Sequence, residues 1–252
     1  MKTIRWERQG GISWVTLNRP QVRNAVNFEM MDELNAALSE IEKTEDKLLV
    51  ITGAGGQAFC SGGDLSSFHS LHTEEEALSM LSKMGQVLKR LFLFKKPTVA
   101  LLNGAAVGGG CEIAAACDLR IAKKNIKFGF VQGKLGITTG WGGGTMLFER
   151  VPSSVAIDYL CSSQLITGEK GYEDGFIHLL LDEEGDLKEA CEKALEPFIS
   201  KSLGVLEAYK QMWLRRLDTD KILRNIDDEI RTCAKLWESD EHHEAVRNFL
   251  NK

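Results

Sequence analysis

Two short runs of alternating character open the chain. Residues 3–8 and 12–17 flank Gly10-Gly11 and predict a β-hairpin. After Asn18-Arg19-Pro20 breaks the pattern, apolar positions recur at helical spacing through Met30, Met31, Leu34, Ala37, Leu38 and Ile41, with Asn27 placed to cap that helix. Residues 48–52 form a continuous apolar run of the buried parallel-strand kind, closed by Gly53-Ala54-Gly55-Gly56. Thr73 and Glu76 make a capping box for a long helix reaching to about residue 94, with Leu78, Leu81, Met84, Leu88, Leu91 and Phe92 on its apolar face. Lys95-Lys96-Pro97 stops it, and residues 97–102 predict another buried strand.

The next stretch, Asn103-Gly104-Ala105-Ala106-Val107-Gly108-Gly109-Gly110-Cys111-Glu112, leads into residues 113–117, which read as a short buried helix. Strand candidates follow at 119–122 and 127–130, then a second glycine-rich loop at 136–144 that enters a helix through Met146-Leu147. From residue 155 onward the pattern is largely helical, interrupted by an extended segment near 176–181. The clearest late helices are 186–201 and Thr219–Trp237, with a short one at 244–250. Strands alternating with helices, then a helical end, predict an α/β core followed by a C-terminal helical region.

Three consecutive glycines at a strand-to-helix junction let backbone approach backbone, or a ligand, with no Cβ in the way. The first N–H groups of the helix lack intrahelical partners and suit an oxygen that carries or develops negative charge. Glu112 keeps a carboxylate close to the same place. A tight packing turn with a dipole-complementing glutamate accounts for this stretch equally well when it is taken alone. Ala58-Phe59-Cys60-Ser61-Gly62-Gly63-Asp64-Leu65 contains a second glycine pair of the same kind. Neither the 103–112 stretch nor the glycine-rich loop at 136–144 matches a Walker A or dinucleotide fingerprint, which excludes a nucleotide-binding reading.

A net charge of −5 over 252 residues weighs against nucleic acid or an anionic membrane as the main partner. The basic spots at Lys89-Arg90, Lys95-Lys96 and Lys123-Lys124 read as solvated faces. No apolar run has the length of a membrane span, and no signal-peptide pattern is present, so the cytoplasm is the expected compartment. The six cysteines form no Cys-x-x-Cys pair and no metal-ligand spacing with the five histidines; they read as reduced, mostly buried thiols.

Taken together, the motifs resemble those of the crotonase, or enoyl-CoA hydratase/isomerase, superfamily. The likeness runs through Leu17-Asn18-Arg19-Pro20 with Arg23-Asn24-Ala25, then residues 59–65, then 103–112. It continues through Cys117-Asp118-Leu119-Arg120-Ile121-Ala122, Phe128-Gly129 and Leu135-Gly136-Ile137. The resemblance implies a crotonase-like spiral of stacked ββα turns over residues 1–195, and a C-terminal helical region at 196–252 used in assembly. It also implies a homotrimer or hexamer. The implied substrate is an acyl-CoA thioester, with no cofactor beyond the coenzyme A that the substrate carries, and no nucleic-acid or membrane partner. Gly63 and Gly109 match the two oxyanion-hole donors. Arg23, Ala25, Ser61, Gly62, Asp64 and Leu65 match the region that holds the CoA moiety. Trp141 is read as a pocket wall, and Asp64 as ordering its loop.

Hydratases of the family use two glutamates, and Glu112 matches the first. The second belongs at the position of Gln132, whose amide holds a water or a substrate oxygen but transfers no proton at neutral pH. Three readings compete. One is a hydratase-like enzyme with Glu112 as the main acid/base. Another is a decarboxylase of the ethylmalonyl-CoA type, which makes its enolate by losing CO₂ and needs no base at the α-carbon. The last is a non-catalytic acyl-CoA- or RNA-binding homologue, against which the acidic charge and the intact donor pair weigh. His69, His72, His178, His242 and His243 show no nucleophile partner by spacing, and Glu149 reads as an exposed helix residue.

Overall fold

The computed structural model describes residues 1–182 and 185–250. β1 (Ile4–Gln9) and β2 (Ile12–Leu17) form the expected antiparallel hairpin, and Gly10 and Gly11 turn it with φ angles of +61° and +80°. α1 (Phe28–Ile41) follows, its first turn held by the Asn27 side chain, which accepts from Met30 N at 3.0 Å.

From here the chain winds in repeated turns. Each gives one strand to a large sheet, a short strand to a small sheet, and then helix. The first turn is β3 (Leu48–Gly53), β4 (Ala58–Cys60), α2 (Leu65–Phe68) and α3 (Glu74–Phe92). The second is β5 (Thr98–Leu102), β6 (Ala105–Val107) and α4 (Gly109–Ala116). The third is β7 (Leu119–Lys123), β8 (Lys127–Gly129), α5 (Gly143–Phe148) and α6 (Ser153–Ser162). β9 (Ile166–Thr167), α7 (Gly168–Glu173) and β10 (Leu179–Leu181) close the spiral. Four helices end it: α8 (Leu187–Ile199), α9 (Leu203–Arg216), α10 (Thr219–Trp237) and α11 (Asp240–Leu250).

The strand order is β1-β2-β3-β5-β7-β10 in the large sheet and β4-β6-β8-β9 in the small one. Because each turn repeats the last, equivalent strands lie parallel and in register: Ile51 beside Ala100, Leu101 beside Ile121, Ala58 beside Ala105, and Ala106 beside Phe128. This is the expected stack of ββα turns.

Several boundaries differ from the sequence reading. The strands β4, β6 and β9 are too short to show a two-residue period, and they make up most of the small sheet. α4 starts at Gly109, four residues before the expected start, because Gly108 takes a backbone conformation (φ +56°, ψ −116°) that sets the helix going through two glycines of poor helix propensity. The extended segment near 176–181 is a strand only at Leu179–Leu181, and α11 begins at Asp240 rather than 244. Residues 251–252 of the expected C-terminal region lie outside the described residues.

Two of the basic spots are not solvated faces. Lys89 is buried and paired with Asp227 at 2.5 Å. Lys96 is only 2% exposed and donates to Ile41 O at 2.9 Å and Thr44 O at 2.6 Å. A buried ammonium needs such acceptors, and here they are the last carbonyl of α1 and one in the turn that follows it.

A buried charge cluster ties the late helices to the spiral. Asp118, just before β7, accepts from Thr98 N at 2.9 Å, pairs with Arg150 at 3.4 Å, and receives the Lys210 ammonium from α9. The Arg150 guanidinium also stacks on Phe92 and Trp213, 4.8 and 4.6 Å from their ring centres. Breaking a buried ion pair leaves uncompensated charge and costs roughly 3–5 kcal/mol. Asp118→Ala, which strands two cations at once, is expected to lower the unfolding free energy by about that amount. Urea denaturation measures it; a loss below about 1 kcal/mol, the scale of an exposed pair, would show that the cluster is not what holds α9 in place.

Candidate active site

β4 and β6 run side by side, so the loops that leave them meet. A Cβ added at Gly62, where φ is +97°, would stand 3.1 Å from Gly109 N, and one added at Gly110 would overlap the Cys60 carbonyl. The two glycine motifs, forty-odd residues apart in sequence, therefore touch backbone to backbone. The flanking groups are spoken for. Gly62 O accepts from Val26 N at 2.8 Å, Asp64 N donates to Val26 O at 2.8 Å, and Gly108 N donates to Gly129 O at 2.9 Å. Among the hydrogen bonds of the described residues, Gly63 N–H and Gly109 N–H have no protein acceptor.

Both glycines line a cavity of about 620 Å³ whose walls are mostly apolar, with Phe68, Leu81, Ile137 and Trp237 among them. The Trp141 ring packs against the pair closely enough that a Cβ on Gly109 would run into it. Ser61, Gly62 and Leu65 also line the cavity.

Glu112, in the first turn of α4, is 2% exposed and lines the same cavity. Its Oε2 accepts from Trp141 N at 2.8 Å and Gly143 N at 3.0 Å; its Oε1 accepts from Gly140 N at 3.4 Å and from the Gln132 amide Nε2 at 2.9 Å. Gln132 sits in a 3-10 turn, Gln132–Leu135, and its own Oε1 is buried with no hydrogen-bond partner. Burial pushes the Glu112 carboxyl up from the usual 4.5 to about 7, assisted by the charge of Glu229 and opposed by the backbone N–H groups of Gly143, Trp141 and Gly140. A carboxyl poised there is able to take and return a proton near neutral pH.

Glu229 was not among the residues singled out from sequence. It lies on α10 and accepts from Gly144 N at 3.1 Å, Thr145 N at 2.7 Å and Thr145 Oγ1 at 2.7 Å. Burial raises its pKa as well. The signal that would have found it is positional: residue 229 falls inside the apolar stripe of Ile222, Ile226, Ile230 and Cys233, where a charge is out of place unless partnered.

Three other expected residues stand outside the cavity lining. Asp64 pairs with Arg19 at 2.7 Å and caps α2 by accepting from Ser66 N at 3.1 Å, the loop-ordering part read for it. Arg23, in the left-handed region at φ +55°, offers its carbonyl to Ser61 N at 3.0 Å. Ala25 O accepts from Arg19 Nη1 at 2.7 Å. These contacts fix the shape of the 61–65 loop. His69 and His72 are exposed, and His242 is buried with Nδ1 2.7 Å from Leu135 O. Among the described residues, no group of three or more His, Cys, Asp or Glu side chains is arranged to hold a metal ion. All six cysteines are free, and only Cys161 is exposed. No helix among the described residues is long and apolar enough to cross a membrane.

Residues 7–252 match the sequence profile of the family described as "Enoyl-CoA hydratase/isomerase". The chain is 32% identical over 248 residues to a short-chain-enoyl-CoA hydratase of Clostridium acetobutylicum, covering 98% of this chain and 94% of that one. It is also 32% identical over 230 residues to an ethylmalonyl-CoA decarboxylase of Xenopus laevis, covering 90% of this chain and 75% of that one. The backbone superposes on the crystal structure of an enoyl-CoA hydratase from Bacillus halodurans with a TM-score of 0.89, at 22% identity and with 98% of this chain and 99% of that chain covered. That last likeness carries the fold alone.

The raised Glu112 pKa has a consequence for stability. The folded protein holds this proton more tightly than the unfolded chain, so the contribution is largest below about pH 4.5 and is lost as pH rises through about 7. Between pH 5 and 8 the wild type is expected to lose at least about 1 kcal/mol of stability relative to Glu112→Gln, as read by urea unfolding at each pH. A difference between the two proteins that stays constant over that range would mean Glu112 has an ordinary proton affinity.

Proposed function

The chain belongs to the enoyl-CoA hydratase/isomerase family, and from that membership we propose that this enzyme adds water across the double bond of an enoyl-CoA thioester. The observation that carries the reading is a buried carboxyl poised near neutrality, lining the same cavity as two unpaired backbone N–H groups.

In this mechanism the thioester carbonyl accepts hydrogen bonds from Gly63 and Gly109. As a water oxygen bonds to the β-carbon, the double-bond electrons move toward that carbonyl and form an enolate. The two N–H groups stabilise the transition state more than the ground state, because the charge appears on the oxygen they face. Glu112 takes the proton from the attacking water. Gln132, already bonded to Glu112, uses its free Oε1 to accept the water's other hydrogen. Collapse of the enolate then takes a proton from Glu112 at the α-carbon, so one carboxyl serves both transfers. Arg23, Ala25, Ser61, Gly62, Asp64 and Leu65 form or brace the loop that would hold the CoA moiety, and Trp141 walls the reacting carbons. The CoA enters and leaves with the substrate, and no other cofactor is required. The compartment proposed is the cytoplasm, in keeping with six free thiols.

Gln132 favours a second reading. An amide opposite Glu112 supplies no second proton donor, and loss of CO₂ from an alkylmalonyl-CoA would form a thioester enolate in the same oxyanion site with no base at the α-carbon. The 32% identity to a decarboxylase supports this as an alternative.

Crotonyl-CoA and ethylmalonyl-CoA separate the two. Loss of the conjugated enoyl absorbance reports hydration, and released CO₂ reports decarboxylation. Hydration is expected, and Glu112→Gln should lower it by about 10²-fold or more. Gln132→Glu would place a second carboxyl against the first, raising one pKa, and is expected to speed hydration at least about tenfold. No gain from that variant, with CO₂ release in the wild type, would replace hydration by decarboxylation.

We also propose assembly as a trimer or a pair of trimers. α9 exposes Val205, Tyr209 and Met212 at helical spacing, an apolar stripe that a neighbouring copy would cover. Light scattering is expected to return a multiple of three times the chain mass at micromolar concentration, and a monomer would refute the assembly.

A further inference from the structure

α10 is the floor under the loop that grips Glu112. Its buried side chains meet that loop one helical turn at a time. Cys233 Sγ donates to Thr138 O at 3.3 Å and packs against Gly140. Ile226 fills the space beside Gly142, where a Cβ would come within 2.7 Å of its Cγ2. Between them, Glu229 accepts from Gly144 N, Thr145 N and Thr145 Oγ1. The neighbouring N–H groups of Gly140, Trp141 and Gly143 all point at Glu112. Two carboxyls from two helices, the buried Glu112 and the half-buried Glu229, thus divide the donors of one six-residue stretch, and the division falls between Gly143 and Gly144.

We infer that Glu229 is a positioning residue for Glu112, holding through Gly144 and Thr145 the same loop whose N–H groups fix the Glu112 carboxyl. It does not line the cavity. Moving its carboxyl would shift the Gly143 N–H along with Gly144, and so loosen one of the four bonds that orient Glu112. Its charge also faces Glu112 across that backbone. The other titratable groups nearby do not compete. Cys111 on α4 and Cys233 on α10 are neutral thiols, pushed well above their usual range by burial. Lys134 lines the cavity.

The inference rests on Glu112 being the acid/base of the proposed reaction, so its test needs a readout besides turnover. Labelling glutamate with ¹³C at the side-chain carboxyl gives an NMR titration in which the Glu112 signal is the one lost in Glu112→Gln. In Glu229→Gln, where the facing charge is removed, the Glu112 midpoint is expected to fall by at least about half a pH unit. The pH dependence of kcat on crotonyl-CoA should move by the same amount. A midpoint and a kcat that both stay at their wild-type values would overturn the inference. A shifted midpoint in a protein that turns over neither thioester would support it while removing the proposed reaction. Should Glu229→Gln fail to fold, Glu229→Asp keeps the charge and withdraws it by one methylene. Its Glu112 midpoint should stay raised while kcat falls at least about tenfold with KM little changed, since a displacement of about 1 Å suffices for losses on that scale. A wild-type kcat in Glu229→Asp would overturn the inference just as firmly.

Discussion

A carboxylate taken out of water must be given donors, or it will not stay charged. Much of the architecture around Glu112 answers that demand. Its four donors come from a 3-10 turn and from the loop before α5, so the carboxyl ties both to α4. Room for those donors has its own sequence imprint. A side chain at Gly143 would overlap Glu112, one at Gly140 would press on Cys233, and one at Gly142 on Ile226. The glycines of this loop are there because backbone must reach a buried acid from one side and rest on a helix on the other. The donors stop short of full compensation, and a carboxyl that is held but still reluctant to ionise is what acid/base chemistry at neutral pH asks for.

The spiral supplies the other half of the site. Gly63 and Gly109 belong to successive turns, yet the parallel pairing of β4 and β6 places their loops in contact. One residue is free on each loop because its neighbours are occupied, through Val26 on one side and Gly129 on the other. The same two strands whose brevity hides them from pattern reading therefore determine which N–H groups remain available.

How much of this was legible depended on whether the physics was local. Helices with their own caps were readable, as at Asn27 and at Thr73 with Glu76, because a cap lies within four residues of what it serves. Three-residue strands were not, since their identity comes from the partner strand. The family resemblance singled out Glu112 and Gln132 together, but the direction of the amide and the orphaned Oε1 are facts of tertiary packing. Lys89 and Lys96 looked like solvated charge because nothing nearby in sequence announces Asp227 or the end of α1 as their partner. Glu229 escaped for the same reason: its donors lie about eighty-five residues upstream.

The cavity also has an order of completion in time. Its lining begins at Ser61 and includes Ala245, Asn248 and Phe249 of α11. At about 5–20 residues per second, on the order of 10–40 s of synthesis separates the first wall from the last. Phe68 and Leu81 from early in that interval, and Trp141 from its middle onward, face an unfinished enclosure. The nascent chain thus carries a greasy, half-built pocket well before it carries an active site, and that interval is when a ribosome-bound chaperone would have most to protect.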